Sequence, residues 1–196
     1  VLVSINYRLG AEGFLEVPGA PANRAVRDWV RALEWVQENI AAFGGDPGRV
    51  TIAGQSAGGA ASAALLGVPA ARGLFRAAAC MSGGPALMQT ADGVRAVAAG
   101  MAGRLGIPAL DRTALEQMPA GTILAAQEAV TAAGPGTHDV EALAALLGRG
   151  ITLPWAPWPD GDVVTEEPLR AVASPRHREI ALLAGATAHE FNMAWI

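Results

Sequence analysis

Arg49-Val50-Thr51-Ile52-Ala53-Gly54-Gln55-Ser56-Ala57-Gly58-Gly59 changes character twice within eleven residues. Arg49–Gly54 is apolar and β-branched and predicts a strand. Ala57–Leu66 is rich in Ala and Leu and predicts a helix. Between them stands Gly54-x-Ser56-x-Gly58, a serine on a sharp strand-to-helix turn, the context a nucleophile requires of this motif. Such a turn strains the serine backbone, and glycines on either side are predicted to spare it clashes. The helix that follows aims its first N–H groups at the site, where they favour negative charge. The N–H of Ala57 is then placed to donate to an oxyanion. Two plainer readings compete: an ordinary Gly/Ser turn, and a phosphate-cradling loop, although no lysine follows the glycines as such a loop demands.

Outward from this stretch, strands and helices alternate. Val1–Tyr7 reads as a strand, Arg8–Pro21 as a Gly/Pro-rich loop, and Ala25–Phe43 as a helix burying Trp29, Leu33, Val36, Ile40 and Phe43. Gly44-Gly45-Asp46-Pro47 ends that helix. Arg76–Met81 and Glu179–Ala186 read as further strands. This order predicts an α/β fold, a mostly parallel sheet covered on both faces. Residues 1–88 form the sheet core, 89–150 an Ala-rich helical insertion or cap over the sheet, and 151–196 an irregular Trp/Pro loop and a returning strand. The insertion has breaks at Gly106-Ile107-Pro108, Pro119 and Gly134-Pro135-Gly136.

Composition narrows the function classes. Of 196 residues, 52% are hydrophobic and 16% charged, enough apolar surface for a core. A net charge of −4 with no Lys/Arg cluster argues against nucleic acid and against a polybasic membrane anchor. The uncharged stretch Val50–Ala71 is broken by glycines, serines and Pro69, and reads as strand, turn and helix rather than a membrane span. The single cysteine, Cys80, excludes an internal disulfide and a multi-Cys metal site, and reads as a buried small hydrophobe.

Asn6-Tyr-Arg-Leu-Gly10, Gly13-Phe-Leu15, Asn23, Asp28, Ala32-Leu-Glu-Trp-Val36, Asn39-Ile40 and Phe43-Gly-Gly-Asp-Pro47, leading into Gly54-Gln-Ser-Ala-Gly-Gly59, resemble the type-B carboxylesterase/cholinesterase family of α/β-hydrolases. Met81-Ser82-Gly83, Pro157-Trp-Pro-Asp-Gly161 and Leu183-Ala-Gly-Ala-Thr-Ala-His-Glu190 extend the resemblance, which is weakest between Gln89 and Gly150. It implies Ser56 as nucleophile, Glu190 as the acid that orients a histidine, Ala57 as one oxyanion donor, and Ser82 as a hydroxyl near the triad. It also implies a small-molecule ester as substrate and a chemistry that calls for no metal or cofactor. Without the resemblance, Glu190 reads as an exposed carboxylate at a helix start. Two departures bear on the site. Gln55 stands where the family commonly has an acid, which bears on substrate charge preference. His189-Glu190-Phe191 replaces Asp-Glu-Gly, which bears on the acid's turn.

The family's chain order is Ser…Glu…His, yet no histidine follows Glu190. His138 and His177 precede it and read as surface or loop residues, and His189 is its sequence neighbour. The family's Gly-rich oxyanion loop is also not found in the sequence. With apolar runs at both ends, the chain reads as an internal fragment, expected to have little activity alone and an exposed sheet edge. A non-catalytic interaction domain, and acyl transfer or amide hydrolysis at the same serine, are the alternatives. Leu87, Met88, Trp155 and Trp158 are candidate pocket walls, with core packing as the competing reading.

Overall fold

A computed structural model describes residues 1–83, 88–132, 153–175 and 178–190. Three parallel strands, β1 (Thr51–Gln55), β2 (Ala77–Met81) and β3 (Ala181–Gly185), lie in the order β1-β2-β3. Thr51, Ala77 and Ala181 are in register at one end, and Gln55, Met81 and Gly185 at the other. Helix α1 is Gly10–Phe14, a single turn inside the segment that reads as a loop in sequence. Helix α2 is Arg24–Asn39, and α3, Ala57–Ala64, follows β1 directly. In the insertion lie α4 (Ala91–Leu105), α5 (Arg112–Glu116) and α6 (Ala120–Ala132), and α7 (Pro168–Ala173) precedes β3. The break at 134–136 lies outside the described residues.

Alternation with period two puts Ile52, Gly54, Ala78 and Cys80 on one sheet face, under α3. Ala78 and the half-buried Ile52 join Val26, Trp29, Val30 and Leu33 of α2 and Leu65 and Leu66 beyond α3 in the main core. Burying this apolar surface drives the assembly. The other sheet face is open: Thr51, Ala53 and Gln55 are exposed, as are Met81 and Leu183, the last at 68%. The predicted cover on both faces is therefore found on one face among the described residues.

Three further expectations are corrected. Val1–Tyr7 joins no ladder, because β1 pairs only with β2; the segment is held at its end instead. Tyr7 packs edge-on against Trp29, with ring centroids 5.3 Å apart, and the Arg8 guanidinium donates to Asp28 from Nε at 2.8 Å and Nη2 at 2.5 Å. Phe43 is 62% exposed rather than buried. The chain tightens to a 3-10 turn over Ile40–Phe43, so each residue there advances by about 120° instead of 100°, rotating Phe43 off the buried stripe and onto Trp35. Among the described residues, the insertion's helices gather their core with the segment around α1 rather than on the strands. Met101, Ala102, Leu110 and Ala126 pack with Ala11, Leu15 and Val17, and no strand residue belongs to that cluster.

The Trp/Pro loop is pinned by Asn23, fully buried with φ +48°. Its Nδ2 donates to the Trp158 carbonyl at 2.7 Å and to Asp160 Oδ2 at 2.9 Å, and its Oδ1 accepts from the Trp158 N–H at 3.2 Å.

Candidate active site

The carboxyl ends of the three strands form one rim. Parallel pairing continues a residue past each strand: the Ser56 N–H donates to the Met81 carbonyl at 2.9 Å, and the Ser82 N–H to that of Gly185 at 2.8 Å. Ser56, Ser82 and the turn after β3 are thereby brought to the same end of the sheet, where ligands of open parallel sheets bind.

Ser56 has φ +53° and ψ −118°, and Ser82 has φ +50°. With Asn23 they are the described non-glycine residues at positive φ. A conformation of that kind costs about 1–3 kcal/mol and persists where surrounding structure imposes it. Here the imposition is steric. A Cβ on Gly54 would lie 2.2 Å from the Gly58 carbonyl carbon, because the first turn of α3 folds back over β1. On Gly83 it would lie 2.1 Å from the Ser56 oxygen, and on Gly59 2.9 Å from the Met81 oxygen. Gly58 differs from the expectation that both motif glycines relieve clashes: a Cβ there meets nothing within 4 Å. The tight positions are Gly54, Gly59 and Gly83, and the last two become apparent only once β2 lies beside the turn.

Ser56 is exposed, and its hydroxyl does not cap α3. Ala57, exposed, opens the helix, so its N–H has no partner four residues back within α3. Glu190 lies in a turn beyond β3, its Oε1 accepting from the Thr187 N–H at 2.6 Å. The Ser82 hydroxyl and then the Thr187 N–H hold the Glu190 carboxyl below the usual carboxylate range, against the opposing effect of desolvation and with a lesser contribution from the Thr187 hydroxyl. Ser82 thus links the Glu190 carboxyl to the end of β2, the strand paired with β1, which carries the Ser56 turn. Thr187 is a site residue that the sequence motifs do not single out; its signal is the Thr-x-x-Glu spacing.

The other candidates fall elsewhere. Cys80 is buried in β2, and desolvation pushes its thiol up, away from reactivity. Met88 packs on the main core, Trp155 touches both cores and donates from Nε1 to Thr131 Oγ1 at 2.9 Å, and Trp158 is buried. Leu87, His138, His177 and Phe191 lie outside the described residues. His189 is exposed beside Glu190. Two clefts, of about 390 and 1020 Å³, lie along α1, with residues of α5 and α6 in their walls, and neither is lined by Ser56 or Glu190. Among the described residues no helix is long and apolar enough to cross a membrane.

The sequence profile of the Carboxylesterase family matches residues 1–195. The chain belongs to the carboxylesterase family. Its carboxylesterase relatives include the para-nitrobenzyl esterase of Bacillus subtilis (strain 168), 36% identical over 194 residues, a match covering 97% of this chain and 37% of that protein. Cholinesterase 1 of Branchiostoma lanceolatum is 34% identical over 207 residues, covering all of this chain and 55% of that protein. Among solved structures, a para-nitrobenzyl esterase superposes with a TM-score of 0.79 at 35% identity, over 93% of this chain and 37% of its own. These carboxylesterase neighbours have the α/β-hydrolase fold, and the parallel sheet and helices of this chain agree with it. The chain thus spans 37% and 55% of the lengths of these two relatives.

Proposed function

We propose that the polypeptide carrying this segment is a serine carboxylic-ester hydrolase acting through an acyl-enzyme on Ser56. The observation that carries the reading is the Ser56 backbone, held at φ +53° between β1 and α3 so that its hydroxyl stands free at the sheet rim. The family membership agrees with it. In this reading Ser56 Oγ attacks the ester carbonyl while a histidine base takes its proton. The carbonyl oxygen becomes an oxyanion that accepts from the Ala57 N–H and from donors this segment does not supply. Collapse expels the alcohol, which takes the proton from the imidazolium, and water then repeats the sequence on the acyl-serine. Glu190 orients the imidazole and stabilises its charged form; its depressed pKa suits it to remain ionised while the histidine cycles. The substrate is a small-molecule ester.

The test is intact-mass analysis of the full-length gene product with and without a fluorophosphonate. The expected result is a single adduct, mapped to Ser56 and lost in Ser56→Ala. A full-length product that takes no adduct would overturn the catalytic reading in favour of an interaction domain.

A further inference from the structure

We propose that Thr187 is a positioning residue for the reaction, acting through a closed Thr187-Ala188-His189-Glu190 turn in which its backbone N–H grips Glu190 Oε1. The inference rests on the reading of Glu190 as the triad acid.

Residues 181–189 are all exposed, so side-chain packing does little to hold the segment that carries the acid. A glutamate on such a segment would spread over several rotamers, and an acid that must face one imidazole N–H cannot be spread. The structure supplies the restraint through hydrogen bonds. Gly185, the last residue of β3, is tied to β2 by the Ser82 N–H at 2.8 Å. Two residues later the Thr187 N–H reaches Oε1 at 2.6 Å, a short charge-assisted bond. An N–H at one residue bonded to a carboxylate three residues on is the geometry of a capping box, which closes the turn around the side chain itself. The carboxylate is therefore oriented by backbone that is anchored to the strand next to the Ser56 turn. A carboxylate offers about four lone-pair directions, so the Thr187 donors and the Ser82 hydroxyl still leave room for the imidazole.

The experiment uses the full-length protein and a fluorophosphonate, comparing the rate of acylation at saturating probe with the half-saturating concentration. Replacing the amide of residue 187 by an ester deletes the N–H and leaves the threonine side chain. It should slow acylation roughly five- to tenfold with half-saturation unchanged. Thr187→Pro deletes the same N–H by an independent route and should slow acylation at least as much; melting curves of both variants report folding. An ester variant that acylates at the wild-type rate, while Glu190→Gln is slow, overturns the role of Thr187 and leaves that of Glu190 standing. Wild-type acylation in Glu190→Gln overturns the reading of the acid, and the role of Thr187 with it.

Discussion

At the scale of single residues, the turn at Ser56 is shaped by what has no room beside it. Gly54 and Gly58 look equivalent in the motif, but their surroundings differ. Gly54→Ala places a methyl 2.2 Å from backbone that cannot rotate away, so the start of α3 must shift off β1. We expect a loss of about 3 kcal/mol, read by chemical denaturation. Gly58→Ala points into open space within a helix, where alanine is favoured over glycine, and should be neutral or stabilising by about 0.5 kcal/mol. Equal effects at the two positions would contradict the packing described. The motif alone assigns both glycines one role, and only the return of the helix over the strand separates them.

At the scale of elements, the segment before α1 is held by one helix rather than by a sheet. Asp28 on α2 accepts from the Arg8 side chain and also from the Arg8 N–H at 3.0 Å. The Arg8 side-chain bond, against partial desolvation, is the chief cause of a lowered Asp28 pKa. A carboxyl depressed in the folded state contributes stability above the unfolded value of about 3.9, and loses it as pH falls through the folded value. Asp28→Asn should therefore cost about 1 kcal/mol at neutral pH, a modest figure because the Arg8 side chain is 45% exposed. The gap between wild type and variant should narrow progressively as pH falls below about 4. Thermal melts from pH 3 to 7 give the answer, and a gap as wide at pH 3 as at pH 7 would deny the ion pair that role. Asp28 and Tyr7-Arg8 are visible in the sequence, but their pairing is not. The alternation of Val1–Tyr7 is strand-like, and among the described residues no strand pairs with it.

At the scale of the whole molecule, one face of the sheet and the outer edges of β1 and β3 are open among the described residues. Leu183 at 68% and Met81 at 44% exposure make an apolar surface on that face, and Leu182, on the opposite face, is 43% exposed at the β3 edge. The 196-residue chain by itself should self-associate, and Leu183→Lys should raise its monomer fraction in light scattering. A wild-type chain that stays monomeric at high concentration would refute this. Thr51–Gln55 and Ala57–Ala64 were legible because a β-branched run followed by an Ala-rich one carries its period locally. The serine between them was legible for the same reason, and so was the helix of Arg24–Asn39 through its apolar stripe. What the sequence by itself determined is the order of strands and helices, the turn that exposes Ser56, and the family to which the chain belongs. Which strand lies beside which, where the insertion packs, why Gly83 rather than Gly58 presses on the turn, and how Thr187 and Ser82 meet Glu190 were decided by the tertiary structure. Those contacts join residues far apart in the chain, or depend on which face a turn presents, and neither is written in a local period.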